Sequence, residues 1–108
     1  LPLCRAKEMM FCGEQITADE AVALGLCNRA VPRERLLEEA LETARKIAQK
    51  SPLTLKLLKR TLRDGLEMPL PSAVAHEQAM IGLVLDSTDA HEGCRAFLEK
   101  RAPKFTGR

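Results

Sequence analysis

The sequence predicts a mainly α-helical chain with one or two very short strands, and three observations lead there. Leu, Ala, Glu, Lys and Arg are frequent while β-branched residues are sparse, within a globular balance of 45% apolar and 30% charged residues. Helix-start signals recur at Thr17-Ala18-Asp19-Glu20, Ser51-Pro52, Ser72 and Ser87-Thr88-Asp89. Between them the apolar residues return at helical spacing rather than alternating.

Residues 2–12 place Leu3, Ala6, Met9, Met10 and Cys12 on a helix that Gly13 stops. Thr17 and Glu20 have the spacing of a capping box, in which each side chain accepts from the other residue's backbone N–H. The short helix after it carries Ala18, Ala21 and Leu24 inward and ends at Gly25, a left-handed C′ position. Leu26-Cys27-Asn28-Arg29-Ala30-Val31 is too short for a helix, alternates in part and stops at Pro32, so it reads as a strand. Over 33–50, Leu36, Leu37, Ala40, Leu41, Ala44, Ile47 and Ala48 fall on one helical stripe. Acidic residues lead this helix and basic ones close it, as the helix dipole favours. Ser51-Pro52 restarts the chain as N-cap and N1 of a helix reaching Gly65. Pro69 and Pro71 break it, and Ser72 caps a helix over 73–85 whose second half, Ala79–Leu85, is apolar on every face. The last helix aligns Ala90, Cys94, Phe97, Leu98 and Arg101 and is ended by Pro103.

Several function classes lose support at this stage. A net charge of +2 is too small to require a polyanionic partner. No apolar run approaches the ~20 residues that span a bilayer, and no secretory signal is visible, so no membrane partner is expected. Amphipathic sequence begins almost at Leu1, which suggests that further residues precede it. Cys4, Cys12, Cys27 and Cys94 contain no C-x-x-C pair and sit mostly in apolar stretches. They read as buried reduced thiols in a reducing compartment, the cytoplasm or the mitochondrial matrix. His76-Glu77 lacks the second histidine of a zinc helix, so no metal is assigned; His91-Glu92 reads as a solvated or capping pair. Lys56, Lys59, Arg60 and Arg63 share a face that could meet phosphates, but the absence of stacking aromatics makes nucleic acid a weak reading. Glu38/Glu39 and Asp86/Asp89 are adjacent carboxylates on polar faces or in a helix cap, without the desolvated setting an acid–base catalyst needs.

The run Ala6–Ala21, continuing through Gly25-Leu26-Cys27-Asn28-Arg29-Ala30-Val31-Pro32, resembles the crotonase superfamily (enoyl-CoA hydratase/isomerase). So do Ile47-Ala48 with Ser51-Pro52, Asp86–Asp89 with Glu92-Gly93, and the closing Ala96-Phe97-Leu98-Glu99-Lys100-Arg101-Ala102-Pro103-Lys104-Phe105. The resemblance implies the C-terminal end of an α/β spiral of β-β-α turns over residues 1–50 and a helical trimerisation region over 51–108, within a homotrimer or hexamer. It implies an acyl-CoA thioester as substrate, no separate cofactor, and a lyase or isomerase reaction such as that of enoyl-CoA hydratase in fatty acid metabolism. The family's oxyanion-hole amides and catalytic glutamates would lie upstream of Leu1, so no catalytic residue is assigned and the segment alone is expected to be inactive. Phe97 and Lys100 match positions that hold the CoA nucleotide, often from the adjacent subunit. An adenine-contacting aromatic of some members is replaced by Ile81. Two other readings stay open: a self-associating helical module without chemistry, and a nucleic-acid binder acting through the Lys56–Arg63 face.

Overall fold

The computed structural model describes residues 1–108 and contains six α-helices and one short 3₁₀ turn, without any strand. It divides into two compact units, Leu1–Ala40 and Leu41–Arg108.

In the first unit, α1 (Leu3–Cys12) ends where Gly13 turns left-handed at φ 68° and returns its N–H to the Met9 carbonyl. Arg5 bridges Glu8 at 2.6 Å and Glu14 at 3.1 Å, tying the helix to the loop beyond it. The capping box forms at the start of α2 (Ala18–Ala23). The Glu20 N–H donates to Thr17 Oγ1 at 3.2 Å, and the Thr17 N–H donates to Glu20 Oε2 at 2.7 Å. That amide, then the Thr17 hydroxyl, holds the Glu20 carboxyl below its ordinary range. Gly25, at φ 72°, closes α2 with crossed bonds from Gly25 N–H to Val22 O and Leu26 N–H to Ala21 O.

The expected strand over 26–31 does not form, and the fold is all-helical where one or two strands were predicted. A strand is stable only when its ladder groups are paired, and every other regular element here is helical. The segment runs instead as exposed turns and bends into Pro32. The helix predicted over 33–50 begins as a 3₁₀ turn, Arg33–Arg35, and continues as α3 (Leu36–Ala48). Glu39 accepts from Arg35 at 2.7 Å and Arg29 at 3.2 Å, which fastens the turn to the helix. The division between the units falls inside α3.

The second unit is built on α4 (Pro52–Gly65), α5 (Leu70–Leu85) and α6 (Thr88–Leu98). Ser51 caps α4, its Oγ accepting from the Thr54 N–H at 3.2 Å, with Pro52 in the first turn. Helix α5 starts earlier than predicted. Pro69 is its N-cap residue, and Pro71 lies in the first turn, where no helical N–H is missed; Ser72 therefore caps nothing. Ala73, His76, Met80 and Val84 form the half-buried stripe of α5, and the helix packs along α4. Helix α6 ends at Leu98, well before Pro103, so Arg101 lies beyond the helix rather than on its face.

Ala96 is the single fully buried apolar side chain. Every cysteine is exposed, against the expectation of buried thiols, and the α3 stripe, Leu36, Leu37, Leu41 and Ile47, is exposed as well. On α5, Val74, Ile81, Leu83 and Leu85 face outward. Apolar surface this extensive exceeds what an isolated domain of this size ordinarily leaves open. No helix is long and apolar enough to cross a membrane.

Candidate functional site

A dense set of polar contacts surrounds α6. Ser87 caps the helix, accepting from the Ala90 N–H at 3.1 Å and donating to the Val84 carbonyl at 2.5 Å. His91 Nδ1–H donates back to the Ser87 carbonyl at 2.8 Å, so this histidine serves the helix start. Asp89, in the first turn, is 2% exposed. Its Oδ2 accepts from the Ser51 hydroxyl at 2.6 Å and the Gly107 N–H at 2.9 Å, and its Oδ1 accepts from the Thr106 N–H at 2.7 Å. Burial pushes the Asp89 carboxyl up, but the Ser51 hydroxyl and the two amides together outweigh it, and the group lies below its ordinary range. One carboxylate thus joins the start of α4, the start of α6 and the terminal segment.

One turn further, Glu92 receives the Arg101 guanidinium as a fork, at 2.6 Å and 3.0 Å, and the Lys104 N–H at 2.8 Å. The Arg101 fork, then the Lys104 amide, lowers the Glu92 carboxyl to about 2. A folded-state value below the unfolded one stabilises the protein above the ordinary carboxylate range, and the contribution is lost as pH falls through the folded value. The expected result is that the Lys104 amide resonance holds its folded position at pH 4 and titrates only as pH approaches about 2. An NMR titration followed at that amide checks it.

The end of α6 carries the two residues singled out from the sequence. Phe97 is 83% exposed and so contributes nothing to a core. The Lys100 N–H donates to the Phe97 carbonyl at 3.2 Å and the Arg101 N–H to the Ala96 carbonyl at 3.0 Å, so Phe97 and Lys100 belong to one crossed-bond turn. Lys100 occupies the C′ position at φ 52°, the one non-glycine residue with positive φ. Glycine is the usual occupant there, because a Cβ in that conformation is disfavoured. Lys100→Gly should raise stability by about 0.5–1 kcal/mol, the relieved strain exceeding the added freedom of the unfolded chain. Thermal unfolding of the two proteins measures it.

A helix C-terminus presents carbonyl groups, which disfavour an anion, so any phosphate held here would rely on side-chain cations. Arg101 is committed to Glu92 and Glu99, which leaves Arg95, Lys100 and Lys104 as the cations of this edge. Ile81 lies elsewhere, on α5, where it lines an open apolar groove with Leu57, Leu58, Met80 and Val84. The face of Lys56, Lys59, Arg60 and Arg63 does form one surface, but the single Asp64 carboxylate pairs with both Arg63 at 2.8 Å and Arg60 at 3.4 Å, which ties up two of its cations. No group of three or more His, Cys, Asp and Glu side chains is placed to hold a metal ion. The sequence did not single out the linking roles of Asp89 and Glu92. An aspartate in the first turn of a helix looks like simple dipole compensation.

The family model described as enoyl-CoA hydratase/isomerase matches residues 1–108. The chain is 42% identical over 103 residues to the 2,3-dehydroadipyl-CoA hydratase of Escherichia coli, covering 95% of this chain and 40% of that protein. Among solved structures, an enoyl-CoA hydratase from Bacillus anthracis superposes with a TM-score of 0.93 at 36% identity, over 96% of this chain and 40% of that one. An enoyl-CoA hydratase/isomerase from Mycobacterium paratuberculosis superposes with a TM-score of 0.94 at 35% identity, over 100% of this chain and 43% of that one. The chain thus spans well under half the length of these relatives. With its whole length matched in sequence and in fold, the chain belongs to the enoyl-CoA hydratase/isomerase family, the crotonase superfamily.

Proposed function

We propose that this chain is the C-terminal assembly segment of an acyl-CoA hydratase, of the enoyl-CoA hydratase kind, and that it supplies one edge of the CoA site. The observation that carries the reading is the α6 terminus, where an exposed Phe97 and a left-handed Lys100 share one fixed turn. An exposed aromatic ring beside an ammonium group suits a ligand with a flat base and phosphates. The substrate follows from the relatives, whose names specify CoA-thioester hydration. Family membership along the whole chain favours this over a stand-alone self-associating module.

The assembly part of the proposal rests on exposed apolar surface. Leu58, Leu62, Ile81, Leu83 and Leu85 all stand open on α4 and α5, more than an isolated domain of this size would leave uncovered. A homotrimer, or a pair of trimers, covers such faces with copies of the same chain. Sedimentation velocity is expected to show the purified chain as trimers or larger species across the micromolar range. A well-dispersed monomer that binds no hydrophobic dye would overturn the assembly role.

The segment's own carboxylates do not support chemistry. Asp89 is the only buried one, and hydrogen bonds hold its pKa low. A group so arranged stays ionised and has no free lone pair aimed at a substrate, so it serves neither as general acid nor as strong base. Turnover therefore belongs to the whole hydratase, with this segment contributing binding and assembly.

A further inference from the structure

We infer that Glu92 is the positioning residue of the CoA edge: through the Arg101 fork and the Lys104 amide it holds the α6 terminal turn in the form that presents Lys100. The inference rests on the reading that Phe97 and Lys100 meet CoA, and it adds a residue that touches neither ligand nor reacting atoms.

A lysine does not adopt φ 52° by preference, so something around it must impose that conformation. The two crossed backbone bonds of the turn supply part of the constraint. The rest comes from both flanks of Lys100. On one side Glu99 accepts from Arg101 Nε at 2.5 Å; on the other Arg101 itself is seized by both oxygens of Glu92. Arg101 also donates to the Ala102 carbonyl at 3.2 Å, and the Lys104 N–H returns to Glu92 at 2.8 Å. Residues 99–104 are thereby closed into a loop anchored on one side chain of the helix body. Beneath it, Phe105 lies against Gly93, where an added Cβ would stand 3.7 Å from the ring. Glu92 is ionised throughout the neutral range, so the anchor is permanent under ordinary conditions. Because Arg101 is fully engaged, its charge orders the turn rather than meeting a phosphate, and of the edge's remaining cations Lys100 is the one that the turn itself presents.

The test is a double-mutant cycle on the protein at its full natural length, with coenzyme A as the probe in titration calorimetry. Lys100→Ala is expected to weaken CoA binding about tenfold, the usual effect of removing one charge-assisted contact. Glu92→Gln is expected to weaken it by a comparable factor, and Glu92→Gln with Lys100→Ala by no more than Lys100→Ala alone. Arg101→Lys, which keeps the charge but loses the fork, should behave like Glu92→Gln, with less risk to folding. Unchanged binding in Lys100→Ala would overturn the CoA-edge reading itself, and the inference with it. A real loss in Lys100→Ala with no loss in either Glu92→Gln or Arg101→Lys would overturn the positioning role alone. Multiplying losses in the double variant would do the same, because independent effects mean that Glu92 does not act through Lys100.

Discussion

Replacing Asp89 with alanine should lower the melting temperature by roughly 10 °C or more, scaled to a domain of this size. It should also strip hydrogen-exchange protection from the Thr106 and Gly107 amides. Both amides and the Ser51 hydroxyl donate to this one carboxylate, within a site only 2% exposed. Removing the acceptor leaves these donors, and the Thr106 hydroxyl at 3.3 Å, without their shared partner, and donors left unpaired away from water are more costly than the hydrogen bonds were favourable. Asp89→Asn should fall between the two, because the amide oxygen can still accept while its NH2 group confronts a donor. The sign with pH follows from the lowered carboxyl. The clamp is complete above the ordinary carboxylate range and weakens only as acidity passes below it. Wild-type melting temperature with unchanged Thr106 protection in Asp89→Ala would show that the terminal segment is held by something else.

The local grammar of the chain was legible in advance, because it depends on near neighbours. Thr17 with Glu20, Ser51 with Pro52, and Gly13 and Gly25 each satisfy backbone groups within a few residues, and each forms as read. Most of the failures share one cause, which is that distant partners decide them. Residues 26–31 carry strand-like alternation, yet a strand needs a neighbour that these residues do not meet. The α3 stripe has the right period but finds no cover, and the cysteines in apolar stretches stay exposed for the same reason. Asp89 binds Ser51, Thr106 and Gly107 at separations of 38, 17 and 18 residues, so nothing near it in the sequence reveals its role. Pro69 and Pro71 misled by a smaller margin: proline breaks a helix interior but is accepted in a first turn. At the candidate site, residue matching proposed Phe97 and Lys100, but the left-handed turn joining them had no sequence signal, since glycine ordinarily marks that position.

On the proposed reading, the α6 edge and the apolar faces give this chain a part in binding and assembly within the enoyl-CoA hydratase/isomerase family to which it belongs. The same account predicts complete loss of chemistry when the chain acts alone. A hydratase must polarise the thioester carbonyl and deliver water and a proton from positioned groups. The carboxylates of residues 1–108 whose ionisation is shifted are all shifted downward, the wrong way for an acid–base catalyst. Asp89 is locked low, Glu92 is held at about 2 by Arg101, and Asp64 is lowered by Arg63. Carboxylates in that condition remain charged at neutral pH and neither give nor take a proton readily. The direct measurement is hydration of crotonyl-CoA by the purified 108-residue chain, run beside the protein at its full natural length. The account predicts turnover from the longer protein and a rate at the buffer background from residues 1–108. Hydration by the 108-residue chain above that background, proportional to its concentration, would contradict it.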